Sequence, residues 1–167
     1  ARGVLDRQTY NKVVTYANGT RCYGWVGDKD SCPSEIVLPQ GVESIDAMAF
    51  SYCHALQRVK IPQGCRKISR EAFRNCDRLK SVELPQSMDT IESESFAGCK
   101  ALGSISNLYY VQSIERDALK GYYYSAISGL FIYDNGQRCF GWVGEDCPDT
   151  LIIPAGVKII DEQAFSH

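Results

Sequence analysis

A period of 23 residues governs this chain. Leu56, Val59, Ile61, Pro62, Ile68, Ala72 and Phe73 return 23 positions later as Leu79, Val82, Leu84, Pro85, Ile91, Ser95 and Phe96. Upstream, Ile36, Leu38, Pro39, Ile45, Ala49 and Phe50 carry the same pattern. Cys53, Cys76 and Cys99 fall in one column, and so do Pro39, Pro62 and Pro85. Self-similarity at roughly 20–30 residues is the signature of a stacked solenoid. One such unit cannot bury its own apolar face, so only the stack is stable.

The unit reads L-x-x-I-x-L-P-x-x-V-x-x-I-x-x-x-A-F-x-x-C. Its I-x-L-P part alternates like a strand with one buried face. Val59 and Ile61 are expected to point inward, and Arg58 and Lys60 outward. Proline ends that strand because it has no N–H to give a ladder. The V-x-x-I part (Cys65 and Ile68, Met88 and Ile91) turns the coil back through a second short strand. A-F-x-x-C is too short for a stable helix and is read as a helical turn that plugs the core with a ring. Neighbouring coils lie ~4.8 Å apart, so like side chains meet: Phe on Phe, Leu on Leu, Cys on Cys.

Three copies are clean: Ser34 to Leu56, Gln57 to Leu79, and Lys80 to Leu102. A fourth, Gly103 to Tyr122, keeps Ile105, Val111, Ile114 and Ala118. It has Asn107 and Leu108 for the Leu-Pro pair, and Leu119 and Tyr122 for the Phe and Cys. Another copy opens at Leu151, Ile153 and Pro154 and runs through Val157, Ile160, Ala164 and Phe165. Two matching blocks interrupt the series. Tyr16-Ala17-Asn18-Gly19, Cys22, Trp25 and Cys32-Pro33 correspond to Tyr133-Asp134-Asn135-Gly136, Cys139, Trp142 and Cys147-Pro148. Asn-Gly between alternating apolar runs marks a β-hairpin. The strands are expected at Lys12–Tyr16 with Arg21–Val26, and at Leu130–Tyr133 with Arg138–Val143.

Asn18 and Asn135 stand 117 positions apart, and Pro39 and Pro154 stand 115 apart, five repeats of 23. The expectation is one domain over residues 1–167, cut from a longer array. It comprises a hairpin block at about 12–33, coils at 34–122, a second block at about 129–148, and the start of a coil at 150–167.

The motif Ile36-Val37-Leu38-Pro39, Val42, Ile45, Ala49-Phe50, Cys53 and Leu56, with its two following copies, resembles the BspA-type leucine-rich repeats, also called the treponemal class. The resemblance covers roughly Ser34 to Tyr122 and Leu151 to Phe165. The two cysteine-bearing hairpins depart from it. The resemblance implies a right-handed β-rich solenoid with parallel ladder strands, short helical turns and, here, two inserted hairpins. It further implies a large secreted or surface protein engaged in adhesion or protein recognition, with no catalytic activity in the repeat.

The remaining features set limits on chemistry. A net charge of −2 and a pI near 5.7 leave no basic field for nucleic acid or an anionic membrane. No apolar run approaches the length of a spanning helix. Three thiols 23 apart do not match a zinc knuckle, so Cys53, Cys76 and Cys99 are read as buried fillers, with Cys65 likewise in the core. The hairpin cysteines fit no column shared with the coils. Local disulfides Cys22–Cys32 and Cys139–Cys147 are their natural reading, which implies an oxidising compartment; reduced intracellular thiols are the alternative. His54 is read as a surface residue without a base or nucleophile beside it. No cofactor or metal is called for.

Two surfaces are candidates for binding. The outward ladder positions give Glu35 and Val37, Arg58 and Lys60, Ser81 and Glu83, Ser104 and Ser106, then Thr150 and Ile152. Such a strip is either a solvated sheet face or the recognition surface usual in solenoids. Tyr109, Tyr110, Tyr122, Tyr123 and Tyr124 form either an interface patch or the filling of the worn coil. Trp25 and Trp142, between glycines, are read as covers for the core edge, with sugar stacking as the minor alternative. The functional expectation is a monomeric, non-enzymatic adhesion module, secreted or on a cell surface, that binds a host or environmental protein. A structural spacer displaying another domain is the alternative.

Overall fold

A computed structural model describes residues 8–10, 12–115, 117–119, 130–133, 137–142, 148–162 and 164–165. The chain divides into two compact units, Ala1–Tyr122 and Tyr123–His167. In the first, β1 (Gln8–Tyr10), β2 (Val13–Tyr16) and β3 (Arg21–Trp25) form an antiparallel meander. Four coils follow, and each gives one strand to each of two parallel ladders. They are β4 (Glu35–Val37) and β5 (Ser44–Ile45), β6 (Arg58–Lys60) and β7 (Lys67–Ile68), β8 (Ser81–Glu83) and β9 (Thr90–Ile91), and β10 (Ser104–Ser106) and β11 (Ser113–Ile114). One sheet runs β10-β8-β6-β4 and the other β1-β2-β3-β5-β7-β9-β11. This is a β-solenoid with leucine-rich-repeat periodicity.

The register is the period itself. Ile36 lies opposite Val59, Val59 opposite Val82, and Val82 opposite Ile105. In the second ladder Ile45, Ile68, Ile91 and Ile114 form one row. Alternation along the strands is as the sequence predicts, with Val59 and Ile61 buried and Arg58 and Lys60 exposed. Phe50, Phe73 and Phe96 stack down the core with centroids 5.2 Å apart in both steps.

The Ala-Phe segment is not helical. Alternate N–H groups leave the segment for the next coil: Met48 to Arg70 O (3.0 Å), Phe50 to Ala72 O (2.7 Å) and Tyr52 to Arg74 O (2.8 Å). The N–H groups between them close tight turns, from Ala49 to Asp46 O, Ser51 to Met48 O and Cys53 to Phe50 O, each at 3.2 Å. A helix would satisfy all of these groups within the segment and leave the neighbouring coil unpaired. The cost is left-handed backbone at Met48 (φ 58°) and Tyr52 (φ 63°), repeated at Glu71 and Asn75.

The hairpin block is a coil in disguise. β3 pairs in parallel with β5, with Arg21 opposite Ser44 and Cys22 opposite Ile45. It thus takes the place of a coil's second strand, while β2 turns back on its outer side. Ala17, Asn18 and Gly19 make the turn with three consecutive positive φ angles. Gly24 allows the close approach that follows. It has φ +119°, and a Cβ there would stand 1.9 Å from Ala49 O. Trp25 N–H instead donates to that carbonyl at 2.9 Å. The indole is buried, donates to Asp28 O at 2.8 Å, and packs on Gly27.

The second unit repeats this arrangement on a smaller scale. β12 (Leu130–Tyr133) pairs with β13 (Arg138–Trp142), which pairs in parallel with β14 (Ile159–Ile160). The Asn135-Gly136 tip and Val143 lie outside the described residues. Leu130, Ile132 and Cys139 form its core, with Trp142, Leu151, Ile153 and Val157 packed against them. Gly141 repeats Gly24: φ is +126° and a Cβ would stand 1.9 Å from Ala164 O.

Two substitutions test this reading. Phe73→Ala removes the central ring of the stack and should lower unfolding free energy by about 3–5 kcal/mol in urea titrations. Gly24→Ala should cost at least about 2 kcal/mol, because both φ and the Ala49 carbonyl oppose a methyl there. A Gly24→Ala protein with an unchanged urea midpoint would refute the close-approach account.

Candidate recognition surface

The outward face of β4, β6, β8 and β10 carries two rows of side chains. One is Glu35, Arg58, Ser81 and Ser104, and the other is Val37, Lys60, Glu83 and Ser106, each in strict ladder register. All are exposed except Ser81, which is half-buried. Glu35 stands across from Arg58, and Lys60 across from Glu83. Even so, none of these four charges makes an ion pair within 4.0 Å among the described residues. The faces formed by the second ladder and the turns differ. Arg66 meets Asp89 at 3.5 Å, Lys67 meets Glu92 at 2.8 Å, and Arg74 meets Glu94 at 2.7 Å. Opposite charges there are held by one another, whereas those on the four-stranded face stand apart and exposed.

Ser106 has a structural task as well. Its hydroxyl accepts from Leu84 N–H at 3.2 Å. In the earlier coils the matching N–H groups of Leu38 and Ile61 go to backbone carbonyls, Lys60 O and Glu83 O. The difference arises at Asn107, where φ turns to +62° and the side-chain amide donates to Leu84 O at 2.6 Å. The worn coil therefore finishes the sheet with side chains and continues into a 3-10 turn, Leu108–Tyr110. Tyr110 is exposed there, while the side chains of Tyr109, Tyr122, Tyr123 and Tyr124 lie outside the described residues. The same holds for Cys147.

The expected Cys22–Cys32 disulfide is not formed. Cys22 and Cys32 are free thiols. Cys22 stands in the isoleucine row, opposite Ile45, and so joins a column of the coils, while Cys32 is buried beside the 3-10 turn that precedes it. Spacing hid this, because the hairpin replaces the residues that would keep the count at 23. Cys139 is likewise a buried free thiol, opposite Ile160. His54 also has a partner that its sequence context did not suggest. Its Nδ1 lies 2.9 Å from Asp77 Oδ1 one coil on. Hydrogen bonding to His54 holds the Asp77 carboxyl below the usual range. Both side chains are exposed, which makes this a surface pair.

The residues missed by sequence reasoning form a clasp beside the hairpin turn. Tyr16 donates its hydroxyl to Asp46, and Arg21 reaches the same carboxylate at 2.8 Å and covers the Tyr16 ring at 5.1 Å. Burial, reinforced by the bond to Asp46, pushes the Tyr16 hydroxyl up to about 12. The second unit holds Arg138 against Asp161 at 2.5 Å, with both side chains nearly buried. The duplicated block contained this signal, since Tyr16, Arg21 and Asp46 recur as Tyr133, Arg138 and Asp161.

The buried thiols have an energetic consequence. Desolvation pushes Cys22 up to about 12 and Cys65 up to about 11, and it raises Cys53 as well. An unfolded thiol ionises near ~8.5, so above that pH the unfolded chain binds fewer protons than the native one. Stability should be intact at lower pH and fall as pH rises, by up to about 1.4 kcal/mol per pH unit for each thiol that stays protonated. The urea midpoint should therefore drop between about pH 7.5 and about pH 10, and Cys65→Val, which installs the residue found at Val42, should flatten the slope. A midpoint constant over that interval would contradict the assignment.

Comparison with known proteins agrees with the geometry. The model of the BspA type leucine rich repeat region matches residues 29–140 in six copies. No curated protein matches significantly. Among solved structures, the pneumococcal vaccine antigen PcpA aligns with a TM-score of 0.57 at 20% identity, over 65% of this chain and 26% of that one. A leucine-rich repeat protein of Bacteroides ovatus aligns at 0.54 and 24% identity, over 95% and 35%. The T. pallidum leucine-rich repeat protein aligns at 0.50 and 21%, over 69% and 63%. The chain thus spans less than two thirds of each of these structures, and at such identities they speak for the fold. Family model, 23-residue register and solenoid coincide on the same residues, and the chain belongs to the BspA-type leucine-rich repeat family.

Proposed function

We propose that this chain is a non-enzymatic recognition module of a secreted or cell-surface protein. It binds a protein ligand through the four-stranded face of its first unit. One observation carries the reading: Glu35, Arg58, Lys60 and Glu83 project from a rigid, shallow sheet and make no ion pair among the described residues. Charges left solvated on an ordered scaffold can form charge-assisted bonds with a partner at little ordering cost. Serine and valine between them keep the face low, so a flat protein surface can approach. Family membership and the likeness to a vaccine antigen support the surface location. Among the described residues no helix is long and apolar enough to cross a membrane.

The test is adhesion of beads coated with the chain to plates coated with serum or matrix proteins. Replacing Arg58, Lys60 and Glu83 together by alanine should reduce adhesion at least about tenfold, a loss of ~1.4 kcal/mol. The urea midpoint should stay where it was, since all three side chains are exposed. Unchanged adhesion by the folded triple variant would reject this face as the contact and leave the spacer role as the better account.

A further inference from the structure

The hairpin block continues one ladder and leaves the other open. Each coil gives one strand to each sheet, but the block gives β3 to the second ladder and no strand to the first. Counting back 23 positions from Glu35, Ile36 and Val37 reaches Lys12, Val13 and Val14. The repeat register would lay those residues beside β4. They lead into β2 instead, which pairs with β1 and β3 in the other sheet. Among the described residues β4 is therefore the end strand of the four-stranded sheet. A cavity of about 450 Å³ lies at this edge. Val13, Trp25, Pro33 and Ile36 give it apolar walls, and Lys12 and Glu35 line it with one charge of each sign. Both charged residues are exposed, and neither makes an ion pair within 4.0 Å among the described residues. The backbone is directed to match. Leu38 N–H donates to Lys60 O, and Ser34 O accepts from Arg58 N–H, both across to β6. Peptide groups alternate along a strand, so the N–H and C=O groups of Glu35 and Val37 face the free edge.

We propose that this edge binds an extended segment of a partner protein as a fifth, parallel strand, reading a basic, a β-branched aliphatic and an acidic residue in that order. Main-chain bonds to an open edge supply affinity, and a pocket for the alternate side chain supplies specificity. The ladder itself states the chemistry. The residue that β6 sets opposite Ile36 is Val59, and the residue it sets opposite Glu35 is Arg58. A strand on the other side of β4 in the same register places its aliphatic side chain in the cavity and its basic one beside Glu35. The acidic residue two positions after the basic one projects from the same outward side and complements Lys12. The N–H of the aliphatic residue donates to Glu35 O, and its carbonyl accepts from Val37 N–H. This contact lies at the edge of the sheet and stands whether or not the outward face binds a ligand.

The probe is a synthetic peptide, acetyl-Gln-Arg-Val-Glu-Leu-Pro-Gln-amide, titrated into the isotopically labelled chain and followed by NMR. It should bind saturably with a dissociation constant of about 1 mM or tighter. Amide hydrogen exchange at Glu35 and Val37 should slow at least about tenfold on binding. Methylating the valine nitrogen of the peptide removes the N–H meant for Glu35 O and should weaken binding at least about tenfold, whereas methylating the arginine nitrogen should not. Glu35→Lys should weaken the peptide by a similar factor and reverse the preference, so that glutamate in place of the peptide arginine restores binding. The triple alanine variant of Arg58, Lys60 and Glu83 should bind the peptide as the wild type does, which keeps failure of the edge distinct from failure of the face. Absence of saturable binding would overturn the proposal. So would binding that leaves Glu35 and Val37 exchange unchanged, that tolerates the methylated valine, or that the triple variant loses.

Discussion

Backbone hydrogen bonds from one coil to the next hold everything else in place. They are not confined to the two ladders. The Phe50, Phe73 and Phe96 amides donate to the carbonyls of Ala72, Ser95 and Ala118, so the turn side of the coil is laddered too. A coil bonded to its neighbour around most of its circumference cannot slip by one residue without losing the whole set. Like columns are therefore forced into contact, and the rings, isoleucines and thiols have no freedom to choose other partners. Ser95, which stands in the alanine column, shows how strict the fit is. It is fully buried and satisfies its hydroxyl at the Ser69 and Glu92 carbonyls.

The same constraint explains how a hairpin can interrupt a solenoid without breaking it. β3 keeps the ladder register with β5, and Trp25 N–H takes the bond to Ala49 O that a coil would have made. What the block lacks in apolar side chains it recovers through the indole and through the Tyr16, Arg21 and Asp46 clasp. The extra strand, β2, adds an antiparallel edge. The second unit does the same with Gly141, Trp142, Arg138 and Asp161. Two solutions so alike point to one physical requirement, a backbone approach that only glycine permits.

Charge is arranged in keeping with this division of faces. Where coils turn, opposite charges meet at the 23-residue step and neutralise each other, as in Arg66 with Asp89. On the four-stranded face the step also places opposite charges side by side, yet the side chains stay apart. Their contribution to folding is small in water. Their value lies in what they present to a partner, and the rigidity of the sheet beneath them makes that presentation cheap in entropy.

Period and alternation were enough to determine the repeat, its inward and outward positions, the ladder pairs of the coils and the pairing of β2 with β3. Each of these follows from residues compared at one fixed spacing, and a stacked coil converts spacing directly into contact. The helical reading of the Ala-Phe turn was not correctable from the chain alone, since the choice depends on where the N–H groups of Met48, Phe50 and Tyr52 find acceptors. The row position of Cys22, the clasp on Asp46 and the partner of His54 also waited for the tertiary structure. In the hairpin block the chain leaves and rejoins the stack with a different residue count. Contact there is set by the hydrogen-bond register of β3 on β5, and distance along the chain carries no record of it.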